Sequence, residues 1–70
     1  LRLPVKLNIN GSLCETPELR TVADLAAWLK LPDFGSAVEL NGDVVRRADH
    51  AATPLQDGDH LEVIRLVGGG

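Results

Sequence analysis

Residues 3–16 read LPVKLNINGSLCET. Apolar and polar side chains alternate over residues 3–9, and this period of two predicts a strand with one buried face. Asn10 and Gly11 follow, and both residue types accept the positive φ of a type I′ turn. Residues 12–16 then form the returning strand. The stretch therefore predicts a β-hairpin at the start of the chain.

The second half of the chain repeats this plan. Residues 37–40 and 43–46 predict two short strands on either side of a second Asn-Gly turn. A polar stretch over residues 47–53 is expected to be poor in helix. After a turn at residues 57–59, the last strand is predicted over residues 60–67. The first and last strands are the most hydrophobic, so we expect them to lie side by side in the middle of the sheet.

Residues 21–31 predict the one helix. Thr21 and Asp24 have the spacing of a capping box, and Pro32 is expected to stop the helix near its end. One apolar stripe at helical spacing consists of Val22, Leu25, Ala26 and Leu29. The predicted class is α+β, with a mixed sheet of four to five strands and one helix packed across one face.

Composition limits the kinds of function to consider. With 70 residues the chain is one domain, which we place at residues 1–67, with residues 68–70 as a flexible tail. The net charge of −3 disfavours nucleic acid as a partner. No apolar run approaches a membrane span and no signal-peptide pattern is present, so a cytoplasmic protein without membrane contact is expected. A single cysteine excludes an internal disulfide and a multi-cysteine zinc site.

The sequence ends in Gly68-Gly69-Gly70. Three glycines stop a strand through their backbone entropy, and they span about 10 Å when extended. One interpretation is a frayed or engineered tail. The other is a tail that threads a narrow channel in a partner, with the terminal carboxyl as the reacting group.

Five segments together carry a family resemblance: VKLNING at 5–11, TVADL at 21–25, LNGDVV at 40–45, TPLQDGD at 53–59 and VGGG at 67–70. This series resembles the ThiS family, the sulfur carriers of thiamine biosynthesis, which have the β-grasp or ubiquitin-like fold. The resemblance covers almost the whole chain. Small subunits of molybdopterin synthase share the fold and a Gly-Gly end, but the triple glycine and the short chain favour the thiamine branch.

The resemblance implies that the chain is a carrier and co-substrate, not an enzyme. An E1-like adenylating enzyme would activate Gly70 with ATP and Mg²⁺, and the chain itself would bind no cofactor. Sulfur derived from a cysteine desulfurase would convert Gly70 to a thiocarboxylate, and a thiazole synthase would consume that sulfur. Sulfur delivery to molybdopterin or another thiocarboxylate pathway stays open. So do a ubiquitin-like modifier that joins Gly70 to a lysine and an interaction domain with an inert tail.

Alternation in the last strand predicts a docking surface. Leu61 and Val63 are expected to face the helix, which places Glu62, Ile64 and Leu66 on the open face of the sheet. Exposed apolar side chains beside the tail suit a transient partner. The predicted partner-binding residues are Ile64, Leu66, Val67, Gly68 and Gly69.

The remaining candidates have simpler interpretations. Cys14 is expected to be either a small apolar residue or a partly exposed residue without a role, and His50 and His60 are expected to be surface residues without a metal. Asp57 and Asp59 flank a glycine and are expected to form a turn, and no motif of a catalytic site is present.

Overall fold

The computed structural model describes residues 3–65 of the chain. The elements are β1 (Val5–Ile9), β2 (Ser12–Thr16), α1 (Val22–Trp28), β3 (Ser36–Leu40), β4 (Asp43–Val45), a 3₁₀ helix (Arg47–Ala52) and β5 (His60–Arg65). The strands form one sheet in the order β2-β1-β5-β3-β4. β1 and β5 lie side by side and parallel, while the other neighbours are antiparallel. The predicted α+β class and the central position of the first and last strands are confirmed.

Strand ends differ from the prediction by one or two residues. β1 begins at Val5 because Pro4 has no N–H to donate to a ladder. β3 begins at Ser36, which pairs with Arg65, and β4 ends at Val45. Residues 66–67, which the alternation assigns to the last strand, lie outside the described residues.

Both hairpin turns have the predicted backbone. Asn10 and Gly11 have φ angles of 51° and 83°, and Asn41 and Gly42 have φ angles of 51° and 92°. Two successive residues with positive φ are the mark of a type I′ turn, whose twist matches that of the strands it joins.

The asparagine of each turn also binds β5 through its side chain. Asn10 Oδ1 accepts a hydrogen bond of 2.7 Å from the Val63 amide, and Asn10 Nδ2 donates to the Val63 carbonyl at 3.2 Å. Asn41 Oδ1 accepts from the His60 amide at 2.9 Å, and Asn41 Nδ2 donates to the Asp59 carboxylate at 3.0 Å. The backbone amides of the same two asparagines also donate to β5, from Asn10 to the Leu61 carbonyl at 2.9 Å and from Asn41 to the His60 carbonyl at 2.7 Å. Each turn therefore holds the central strand through both its backbone and its side chain.

The start of α1 follows the capping box that the sequence predicts. Thr21 Oγ1 accepts from the Asp24 amide at 3.2 Å, and Asp24 Oδ2 accepts from the Thr21 amide at 3.1 Å. These bonds satisfy backbone N–H groups that have no partner within the helix.

The predicted end of the helix at Leu31 is wrong, since α1 ends at Trp28. Lys30 takes a left-handed conformation with φ of 56°. Its amide donates to the Ala27 carbonyl at 3.1 Å, and the Leu31 amide donates to the Ala26 carbonyl at 2.9 Å. This bond pattern is a Schellman motif, which usually places glycine where this chain has lysine.

The expectation of little helix over residues 47–53 is also wrong. Arg47–Ala52 form a 3₁₀ helix that contacts α1. Thr53 Oγ1 donates to the Asp49 carbonyl at 2.6 Å and closes the last turn. Local hydrogen bonds and packing on α1 stabilise this segment. Neither requires apolar residues at a regular spacing, so the sequence shows no helical pattern here.

The core between α1 and the sheet is aliphatic, which agrees with an aromatic content of 3%. Its buried residues are Leu7, Leu19, Val22, Leu25, Val38, Leu55 and Leu61. The two aromatic residues lie outside it, with Trp28 exposed to 41% and Phe34 to 90%.

We expect Asn10→Gly to lower the free energy of unfolding by about 1–2 kcal/mol. Glycine keeps the positive φ of the turn but removes both side-chain hydrogen bonds to Val63. Urea denaturation followed by circular dichroism measures the change. Asn10→Asp is the matched control, because it retains the acceptor for the Val63 amide and should lose less. Equal midpoints for Asn10→Gly and the parent chain would show that these bonds do not hold β5.

Candidate functional site

The structure places one of the predicted partner-binding residues, Ile64, on the open face of the sheet. Its side chain is 48% exposed, whereas Leu61 on the opposite face of β5 is 1% exposed. Val63 is half-buried on the helix side, so the predicted alternation of β5 is confirmed over the described part of the strand. The other predicted site residues, Leu66, Val67, Gly68, Gly69 and Gly70, lie outside the described residues, and their roles stay predictions.

Ile64 is part of an apolar region of the open face. It pairs across the strands with Ala37 and lines a shallow depression of about 290 Å³ together with Gly35, Ser36 and Ala37. The register also places Val44, which is 66% exposed, on this face. A depression of this size accepts one apolar side chain of a partner and is too shallow to enclose a small molecule.

Two carboxylates lie next to this depression. Glu39 and Glu62 are direct partners in the β3–β5 register, two positions along from Ala37 and Ile64 and therefore the next pair on the same face. Partners in register place their side chains on the same face of a sheet. The open face therefore joins an apolar depression to a doubly negative pair, which the sequence could not show without the register of β3 on β5.

Arg65, on the helix side of the same strand, was not among the predicted site residues. Its Nη2 donates to the Leu29 carbonyl at 2.7 Å, just past the end of α1. The last turn of α1 has no basic residue of its own, so Arg65 supplies the positive charge that the C-terminal end of a helix favours. This bond fixes the end of β5 against the helix five residues before Gly70. It depends on how α1 crosses the sheet, which no pattern in the sequence gives.

The two aspartates of the turn before β5 have the structural role that the sequence predicts. Asp57 Oδ1 accepts a hydrogen bond of 2.8 Å from the Lys6 amide, and Asp59 Oδ2 accepts one of 2.8 Å from the Gln56 amide. Gly58 between them has φ of 86°. The carboxylates therefore fix the turn and attach it to β1.

The cysteine and the histidines do not come together. Cys14 is half-buried, with its Sγ 3.5 Å from the Ser12 carbonyl oxygen. His50 is half-buried with its Nε2 3.2 Å from the Val45 carbonyl oxygen, whereas His60 is exposed. Within residues 3–65, no three metal-ligating side chains form a group that fits an ion. In the same range, no helix has the length and apolar character that crossing a bilayer requires.

A family model matches residues 7–70 of the chain, and its description is the ThiS family. The match begins within β1 and continues through the second hairpin, the helix and β5 to the terminal glycines. The chain belongs to the ThiS family. The resemblance seen in the sequence is thereby confirmed.

Structural comparison agrees with this assignment. The crystal structure of the thiamine biosynthesis protein ThiS from Geobacter metallireducens superposes with a TM-score of 0.75 at 33% identity. The match covers 94% of this chain and 100% of that one, which confirms the β-grasp fold.

Two curated relatives are larger proteins. A thiazole synthase of Paramagnetospirillum magneticum is 35% identical over 66 residues, and one of Magnetococcus marinus is 33% identical over 66 residues. Each match covers 94% of this chain but 20% of the relative, so the ThiS-family chain spans about a fifth of their length.

We expect Ile64→Thr to leave the melting temperature within a few degrees of the parent value, because the side chain is half-exposed and threonine keeps the β-branched shape. Leu61→Ala on the buried face of the same strand is the contrasting variant. It should lower the free energy of unfolding by about 2–5 kcal/mol, since it leaves a cavity in the core. Thermal and urea unfolding measure both. Similar losses for the two variants would contradict the assignment of Ile64 to the open face.

Proposed function

We propose that this chain is a sulfur carrier protein of thiamine biosynthesis whose reacting group is the carboxyl of Gly70. The observation that carries the proposal is the family match, which runs through the terminal glycines to residue 70. In this proposal the chain is a co-substrate of partner enzymes and binds no cofactor itself.

The chemistry at Gly70 begins with activation, because a carboxylate is a poor electrophile. In an E1-like partner, a carboxylate oxygen of Gly70 attacks the α-phosphorus of ATP, with Mg²⁺ bound, and pyrophosphate leaves. The product is an acyl adenylate whose AMP is a good leaving group. A persulfide sulfur, derived from a cysteine desulfurase, then attacks the carbonyl carbon and displaces AMP. A thiol reduces the sulfur–sulfur bond that results, and Gly70 retains a thiocarboxylate.

The glycine tail suits this reaction for a geometric reason. Gly68, Gly69 and Gly70 have no Cβ, so they fit a channel that excludes every larger residue. Three residues span about 10 Å when extended, which is the reach that such a channel would require. The bond between Arg65 and the Leu29 carbonyl supports the same geometry, because it fixes the strand from which the tail begins.

Docking is the second part of the proposal. Ile64 and the depression that it shares with Ala37 give a partner an apolar contact, and Ile64 precedes the first glycine of the tail by four residues in the sequence. We assign Leu66, Val67, Gly68 and Gly69 to the same interface. Contacts on this face let one small domain present its tail to the adenylating enzyme and later to the enzyme that uses the sulfur.

The relatives support thiazole synthase as the user of the sulfur. Two proteins of that name contain a region similar to almost all of this chain within a longer polypeptide. A region within one polypeptide is held at high effective concentration near the rest of it. A separate chain with the same fold would reach a thiazole synthase through a docking surface instead.

A chain that ends at Gly70 should gain sulfur at that residue. Incubation with an E1-like adenylating enzyme, ATP, Mg²⁺ and a persulfide donor is expected to replace one oxygen by one sulfur. Mass spectrometry of the C-terminal peptide locates the change, and omission of ATP is the control. Sulfur on Cys14 would instead indicate a persulfide relay. Higher-mass conjugates on denaturing gels would indicate a protein modifier, and an unchanged mass would indicate an inert tail.

Lengthening the tail by one residue should abolish activation. An alanine appended after Gly70 moves the carboxylate by about 3.5 Å, whereas an error of about 1 Å already costs roughly 100-fold in rate. ATP–pyrophosphate exchange is expected to fall close to background. Gly69→Val should have the same effect because it adds branched bulk inside the channel. Both variants should melt within a few degrees of the parent. ATP–pyrophosphate exchange at the parent rate by the extended chain would contradict a role for the tail in activation.

A further inference from the structure

The open face of the sheet carries a like-charge pair that opposes folding. Glu39 and Glu62 are direct partners in the β3–β5 register, so their Cβ atoms are about 5 Å apart. Like charges in that position destabilise a sheet. Among residues 3–65 neither carboxylate forms an ion pair, since the ion pairs there join Arg20 to Glu18 and Arg47 to Asp33.

The apolar surroundings of the two carboxylates strengthen their attraction for a cation on a partner. On one side lies the apolar depression of Ala37 and Ile64, and on the other lies Val44, which pairs with Glu39 across β3 and β4. A partner that covers these apolar groups also removes water from around the carboxylates. Charges interact more strongly in such a partly dry interface than in bulk water.

We propose that Glu39 and Glu62 together bind one cationic side chain on the docking surface of a thiazole synthase. This inference rests on the proposed function and adds the chemistry of the partner to it. Arginine suits the position best, because its planar fork of N–H donors can serve two carboxylates at once. Thiazole synthase is the chosen occupant because two proteins of that name contain a region similar to this chain.

The strand geometry also sets the spacing on the partner. Glu62 and Ile64 are two residues apart on β5, which is about 7 Å along a strand. The partner must therefore place its cation about 7 Å from the apolar side chain that enters the depression. Residues i and i+2 of a strand, or i and i+4 of a helix, meet this requirement.

The proposal predicts opposite effects on stability and on binding. Glu39→Gln and Glu62→Gln each remove one charge of a repelling pair, so the melting temperature should rise by about 1–5 °C. The same variants should bind a purified thiazole synthase about tenfold more weakly, because the partner's cation loses one carboxylate. Calorimetry measures the unfolding of the chain and titration calorimetry measures the Kd.

Glu15→Gln is the matched control. Glu15 is a glutamate of the same open face, but it pairs with Lys6 at the other side of the sheet. The control makes the same change in net charge, and its Kd should stay within about twofold of the parent value. Raising the salt concentration should weaken binding of the parent chain more than binding of the double variant Glu39→Gln/Glu62→Gln.

The outcomes separate this inference from the proposed function. Thiocarboxylate formation at Gly70 with an unchanged Kd for both glutamine variants would overturn the cation site and leave the carrier function intact. An equal loss for Glu15→Gln would also overturn it, because net charge alone would then explain the effect. A parent chain that forms a stable dimer through this face in sedimentation would replace thiazole synthase with a second copy as the occupant. Failure of Gly70 to gain sulfur in the parent chain would instead count against the proposed function.

Discussion

The central strand β5 is the element on which the rest of the structure depends. In the sheet order β2-β1-β5-β3-β4, the two hairpins have no strand contact with each other, so β5 is what joins them. The β1–β5 ladder is short, and it pairs Asn8 with His60 and Ile9 with Leu61. The two turn asparagines add side-chain hydrogen bonds to β5, and the two bonds between Asn10 and Val63 connect residues 53 positions apart. Both hairpins are local structures that form quickly, whereas the strand between them requires contacts that are distant in sequence.

The sequence predicts the parts of the fold that local chemistry determines. Asn-Gly pairs specify both turns, Thr21 and Asp24 specify the start of α1, and hydrophobicity places the first and last strands in the middle. The end of α1 was misplaced because Lys30 takes the left-handed conformation for which glycine is the usual signal. The sequence does not predict the 3₁₀ helix, because its stability comes from packing on α1 and from a hydrogen bond of Thr53. Neither contribution produces a repeating pattern of apolar residues.

The candidate site also has a part that the local sequence predicts and a part that depends on contacts between distant elements. Alternation along β5 is a local property, and it correctly places Ile64 on the open face. The pairing of Glu39 with Glu62 depends on the register between two strands that are distant in sequence, so no pattern in either strand reveals it. The bond from Arg65 to the Leu29 carbonyl depends on how α1 crosses the sheet. Side chains that act across elements are therefore the part of the site for which a structure is needed.

The two turn asparagines also make the fold sensitive to chemical ageing. In an Asn-Gly pair the glycine nitrogen can attack the side-chain amide carbon and expel ammonia, and hydrolysis of the resulting ring leaves aspartate or isoaspartate. Asparagine is for this reason among the thermolabile residues. At Asn41 the reaction would replace the Nδ2 donor by a carboxylate directly beside that of Asp59, and at Asn10 it would remove the donor to the Val63 carbonyl. Isoaspartate would in addition lengthen the backbone of a two-residue turn. The hydrogen bonds that hold β5 also restrain these side chains, so the same contacts that join the hairpins protect the amides on which they depend.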